Sequence, residues 1–143
     1  MAHDDTFDIK KLIARFANSF DLNDWDGLLA CLAETVHTDY SDLRGTAPET
    51  VSASRYVQER RAALEKLKTH HLSGNYEIKY SDPLNATCRV SMVIWRKTET
   101  EVFNTHCIYT FTVAKASAGW KITAISQKVL WNEGQAAIHS GAK

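Results

Sequence analysis

The chain has 143 residues, 44% of them hydrophobic and 24% charged, with 17 lysines and arginines balanced by 17 aspartates and glutamates. That length suits one domain over residues 1–143, large enough to bury a core without disulfide or metal staples. Zero net charge argues against a nucleic-acid or anionic-membrane partner. No apolar run reaches the roughly 18 residues of a membrane span and none marks an export signal, so the expectation is cytoplasmic.

Helical spacing comes first. The segment from about Asp5 to Leu22 carries Ile13, Phe16, Ala17 and Phe20 on one stripe, and the next position on that stripe is Asp21. A carboxylate there continues a buried row and also sits in the last turn, where the helix dipole disfavours an anion. Read from the residues alone, Asp21 is either a turn former or a functional group, and "LNDW" already supplies Asn23 or Asp24 to cap a second helix, Trp25 to Ala33.

A short strand is expected from Thr35 to Tyr40, then a loop through "DLRGTAPET", broken by Gly45 and Pro48. A third helix follows from about Ser52 to Leu67, apolar at Tyr56, Val57, Ala63, Leu64 and Leu67. Its "QERRAALEKLK" interleaves both charge signs and reads as a solvated face.

After Thr69 the period becomes two. Four strands are expected, at about His70 to Tyr80, Asn85 to Lys97, Glu101 to Ala114 and Trp120 to Trp131, joined by short turns into an antiparallel meander. The fold class is therefore α+β, a curved sheet wrapped around three N-terminal helices. Parity turns Phe103, Cys107, Tyr109, Phe111 and Val113 inward on one strand and Cys88, Val90, Met92 and Ile94 on its neighbour, with Arg96 following at the rim. Trp95 and Val93 then face outward, toward a subunit contact. The three cysteines, Cys31, Cys88 and Cys107, sit in apolar segments and read as reduced, buried thiols.

With these elements in place, the chain resembles the SnoaL-like branch of the nuclear-transport-factor-2-like superfamily, and within it the scytalone dehydratases and bacterial bile-acid 7α-dehydratases. The resemblance is carried by "ANSFDLNDWDGLLACLAETVHTDY" from Ala17, "THHLSGNYEI" from Thr69 and, weakly, "GWKI" from Gly119. It implies a cone-shaped fold and self-association through the outer sheet face, with a trimer favoured over a dimer. It also implies an Asp at Asp21 orienting a His at His71, the acid/base of a water elimination beside a ketone, and a Tyr at Tyr40 polarising the carbonyl. Elimination needs a base of near-neutral pKa and an acid for the leaving hydroxyl. One imidazole oriented by a carboxylate can serve as both.

The chain departs from those dehydratases at Phe20 and Phe16, where they carry tyrosines, and at Arg96, Cys107 and Tyr109, where scytalone dehydratase has His, Ser and Asn. The expected ligand is a small hydrophobic molecule, a compact cyclic or polyketide-like ketone. Its pocket would be walled by Phe16, Phe20, Val57, Met92, Tyr109 and Phe111, with Arg96 as a clamp and Cys107 as lining. No metal and no cofactor is called for. His70 and His71, adjacent in a strand, point to opposite faces and cannot chelate together. A Cys107 nucleophile would need an electropositive setting. A steroid-isomerase base at Asp39 conflicts with an inward Tyr40 by the same parity. The alternative class is a scaffold or binding module of this fold, like the small subunit of aromatic-ring dioxygenases. The C-terminal "NEGQAAIHSGAK" is either a lid or a loose tail.

Overall fold

Helix α1, Asp5–Asp21, starts where the Asp4 carboxylate accepts a hydrogen bond from the Thr6 amide, in a computed structural model that describes residues 4–139. Asp5 and Asp8 in its first turn suit the positive end of the dipole, and Ile9, Ile13, Phe16, Ala17 and Phe20 are buried along one face. The turn after it belongs to Asn23, at φ 52°, and to Asp24, whose side chain accepts from the Gly27 amide at the start of α2, Trp25–Ala30. Asp21 is thus not needed to make the turn.

Helix α2 is three residues shorter than the spacing suggests, because Cys31 already accepts from the Ile122 amide and the chain enters strand β1, Leu32–Asp39. The expected loop holds two further elements. Asp39 accepts from the Ser41 amide and hydroxyl to start the one-turn helix α3, Ser41–Arg44, and strand β2, Glu49–Ser52, pairs antiparallel with β1. Tyr40 therefore lies just past the strand, at the start of α3, with its side chain buried. Helix α4, Ala53–Leu64, opens on Ser52, whose hydroxyl accepts from the Arg55 amide.

Four long strands then form the expected meander: β3, Lys68–Asp82; β4, Asn85–Lys97; β5, Val102–Ala116; and β6, Gly119–Gly134. They extend a six-stranded mixed sheet in the order β2-β1-β6-β5-β4-β3, in which β1 runs parallel to β6. Register shifts at Gly74/Glu77 in β3 and at His106/Cys107 and Thr112/Val113 in β5 bend the long strands and help curl the sheet around α1. The chain ends its described course in a 3-10 turn, Ala136–Ile138, followed by His139, which is buried with its ring edge-on to Phe103. Of the tail read as a lid, residues 132–134 continue β6 and residues 140–143 lie outside the described residues, as does His3.

The core matches strand parity. Phe103, Thr105, Cys107, Tyr109, Phe111 and Val113 of β5 are all nearly inaccessible, as are Cys88, Val90, Met92 and Ile94 of β4. At one end Trp120 Nε1 and Lys115 Nζ both donate to Asp5 Oδ1 and tie the last hairpin to the start of α1. Among the described residues no helix is long and apolar enough to cross a membrane.

Candidate active site

The buried stripe of α1 brings the end of the helix against the start of β3. There Asp21 receives three hydrogen bonds from one strand: Thr69 Oγ1 donates to Oδ1 at 3.0 Å, the His71 amide to Oδ2 at 2.8 Å and His71 Nδ1 to Oδ1 at 2.6 Å. These donors offset the dipole penalty that made the carboxylate conspicuous in the sequence. Thr69 and His71 can share the ion because they are two residues apart and so on one face of β3.

A carboxylate is an acceptor only, so His71 Nδ1 carries the hydrogen and Nε2 carries the lone pair. Nε2 has no hydrogen-bond partner among the described residues. The His71 side chain is 5% exposed and its ring stacks on Phe20 at 5.1 Å, which fixes its plane. Burial lowers the His71 pKa; the Asp21 hydrogen bond and charge oppose that shift, and Arg96 adds to it. Burial is the largest effect, so the neutral, basic form prevails near neutral pH.

Ring contacts run from the dyad to the other tyrosines: Phe20 meets Phe16 at 5.1 Å, Phe16 meets Tyr109 at 6.5 Å, and Tyr109 meets Tyr40 at 6.3 Å. Tyr40 does not hydrogen-bond His71. Its hydroxyl pairs with that of Tyr56 at 2.7 Å, so one of the two hydroxyl hydrogens remains to be donated elsewhere. Phe111, Val57 and Met92 are buried with this group, and Tyr109 accepts from Gln127 Nε2. Burial raises the pKa of Tyr56 and Tyr109 well above the usual phenol value, so both stay protonated donors.

Arg96 is not at the rim. It is only 3% exposed and donates from Nη1 to Thr105 Oγ1, because the ring of Phe103, its partner across the β4–β5 ladder, lies against its guanidinium with His139 beyond. Cys107 donates to the Met92 carbonyl, and burial pushes its thiol up to about 11, which removes it as a thiolate nucleophile. His70 faces outward and stacks on Trp95; His106 does the same with Trp131. The described residues contain no cluster of three or more His, Cys, Asp or Glu able to hold a metal.

Three participants escape the sequence reading. Thr69 could have been found from its spacing to His71. Arg60, placed on a solvated face by the charge run, is buried, and its spacing to Ala53, Tyr56, Val57 and Leu64 was the available signal. Gln127 sits in a strand with nothing local to mark it; its Oε1 is buried without a partner.

A groove of about 520 Å3 elsewhere, between α1, α2 and the β5–β6 turn, includes none of the expected site residues. Thr69 and Arg96 border a smaller hollow of about 230 Å3 together with His70 and Trp95.

Comparison with known proteins identifies the family and the fold. The SnoaL-like domain family matches residues 2–126. The scytalone dehydratase-like protein claB of Passalora fulva is 33% identical over 78 residues, covering 54% of this chain and 44% of that protein, so the match spans less than half of the relative. Among solved structures, the Kfla4162 protein of Kribbella flavida superposes with a TM-score of 0.87 at 20% identity, over 94% of this chain and 95% of that one. An NTF2-like protein with a cystatin-like fold from Novosphingobium aromaticivorans gives 0.71 at 21% identity, over 94% and 86%. At these identities the structures establish the fold, which is NTF2-like.

Proposed function

The chain belongs to the SnoaL-like domain family, and from that membership and the Asp21–His71 pair we propose a cofactor-independent lyase or isomerase that moves a proton on a small cyclic or polyketide-like hydrophobic ketone. The observation that carries the reading is the carboxylate with three donors, which fixes His71 with its Nε2 lone pair uncommitted. Likeness to a scytalone dehydratase-like protein supports elimination over other proton transfers.

In the dehydration direction, His71 Nε2 takes the proton α to the carbonyl and the C–H electrons form an enolate. The Tyr40–Tyr56 pair donates its spare hydrogen to the enolate oxygen. The enolate then re-forms the ketone and the new carbon–carbon double bond as the β-hydroxyl leaves, taking the proton from Nε2 and departing as water. Asp21 stabilises the imidazolium between the two transfers and never gives up its own charge. Phe16, Phe20, Val57, Met92, Cys107, Tyr109 and Phe111 form the wall. Isomerisation would use the same transfers with the proton returned to another carbon.

The test is proton exchange itself. Wild-type protein incubated in D2O with cyclohexanone and 2-tetralone should accelerate deuterium uptake at the α-carbons, read by NMR, and His71→Gln should not. No acceleration over buffer by the wild type, or equal rates from both proteins, refutes the proposal. A second reading, a binding module without chemistry, draws support from the Tyr40 hydroxyl being engaged with Tyr56. It predicts ligand binding that survives His71→Gln with no exchange by either protein.

The proposal includes self-association. Leu72, Trp95, Leu130 and Trp131 are exposed on the outer sheet face, where His70 and His106 stack against the two tryptophans. A second copy of the chain is the occupant proposed for that face, with a trimer expected and a dimer the other outcome. Light scattering should give an oligomer that Trp131→Glu dissociates.

A further inference from the structure

Seven arginines occur in the chain, and they divide sharply. Arg15, Arg55, Arg61 and Arg89, each more than half exposed, all pair with a carboxylate. Arg60 and Arg96, which are buried, and Arg44, which is half-buried, pair with none among the described residues. The seven residues outside the description, 1–3 and 140–143, contain no Asp or Glu side chain.

These three arginines are also near one another. The guanidinium carbons of Arg44 and Arg60 lie 4.1 and 5.8 Å from the centre of the same ring, that of Tyr40. Arg96 sits 5.1 Å from the Phe103 ring and makes a single side-chain hydrogen bond, to Thr105. Arg60 is 8% exposed and has no hydrogen-bond partner; Arg44 has its Nε buried without one. Burial depresses the pKa of Arg60 and brings that of Arg96 to about 10; the charge of Arg44 adds to both shifts, and that of Arg60 adds to the second. Holding buried guanidinium charges close together with no counter-charge is costly for stability, and Arg44 Nε is in addition a buried donor without an acceptor. A fold that keeps three of them together is complementary to something negative that is not part of the chain.

We propose that this interior binds the carboxylate of a small, mainly apolar cyclic acid, held by Arg96 and Arg60 with Arg44 closing the cluster. A planar pair of carboxylate oxygens matches the guanidinium fork. The ring of the acid would lie among Phe16, Phe111 and Met92, a wall with too few polar groups for a fully hydrated phosphate. Gln127 Oε1, buried and unpartnered, is available to a hydroxyl on the same ligand. The inference deepens the proposed function by adding a charge to the ketone substrate. It rests on that reading only for the word substrate, since binding an anion requires no proton transfer at His71.

The experiment uses benzoate and its neutral isostere benzamide with the full chain, followed by calorimetry and thermal shift. Benzoate should bind at least about tenfold more tightly than benzamide. The preference should fall to threefold or less, about half of that difference in free energy, in Arg60→Met and Arg96→Met. Asp21→Asn should keep it, which separates this test from the proton-exchange test: a lost anion preference with intact exchange overturns this inference alone. Equal affinity for the two probes, no binding of either up to about 10 mM, where millimolar affinities are still read, or stabilisation by inorganic phosphate equal to that by benzoate would overturn it. If a methionine variant does not fold, intermolecular NOEs in the wild type decide: contacts from the benzoate ring to Phe16 and Phe111 are expected, and their absence is contrary.

Discussion

Asp21 and Arg60 are both charged side chains that a helix turns toward the same interior, and the two neighbourhoods treat charge in opposite ways. Around Asp21, β3 supplies an amide, a hydroxyl and an imidazole, and the ion is satisfied by the protein itself. Around Tyr40, Arg60 and Arg44 approach one aromatic ring with no carboxylate between them. Charge that is buried with its partners positions a group; charge that is buried without them costs stability and points to a ligand. The first neighbourhood is therefore read as the place where a proton moves, and the second as the place where a substrate is held.

Breaking the satisfied half should have the largest effect. His71→Gln removes the base and should lower α-proton exchange by about 10²–10⁴-fold, the range a positioned general base contributes; a fall below tenfold would move the chemistry to another residue. Phe16 is the wall common to both halves, touching Phe20, Phe111 and Tyr109. Phe16→Ala should cost about 3–5 kcal/mol in denaturant unfolding. Relieving the unsatisfied half should do the reverse: Arg60→Met should raise unfolding free energy by about 1 kcal/mol or more, because it replaces an unpaired buried cation with an isosteric apolar chain. Destabilisation of that variant would mean that Arg60 has a compensating partner.

Acid sharpens the contrast more gently. Because His71 has a folded-state pKa below its unfolded value, the unfolded chain binds the extra proton first, so stability is fully present above about pH 6.5 and is lost as pH falls through the lower folded-state value. His71→Gln should flatten that part of the curve. The exposed Glu77–Arg89 pair, by comparison, should contribute little at any pH.

Much of this was legible in the sequence because it follows from periodicity. The apolar stripe of α1 exposed Asp21 as an anomaly, and alternation in β4 and β5 sorted Met92, Cys107, Tyr109 and Phe111 inward, as found. Local chemistry that competes with a period was harder to read. Arg60 was hidden by its own neighbours, since Glu59 and Arg61 are exposed and make "QERR" look uniformly solvated. Arg96 was placed one step too far out because parity gives the face of a strand but not which side chains, here Phe103 and beyond it His139, close over that face. The helix α3 and strand β2 were missed because a single turn and a four-residue edge strand carry too few residues for either period to register. Which side chains meet across the interior, such as Tyr40 with Tyr56, depends on crossing distances that no local pattern encodes.

The central claim is that Asp21 acts on His71, and the imidazole pKa reads that action directly. Assigned by NMR with His71→Gln, the wild-type His71 should titrate below the ordinary value near 6.5. In Asp21→Asn burial remains while the opposing carboxylate is gone, so the pKa should drop clearly further. An unchanged pKa in Asp21→Asn would contradict the account, because the carboxylate would then be holding the strand without tuning the base.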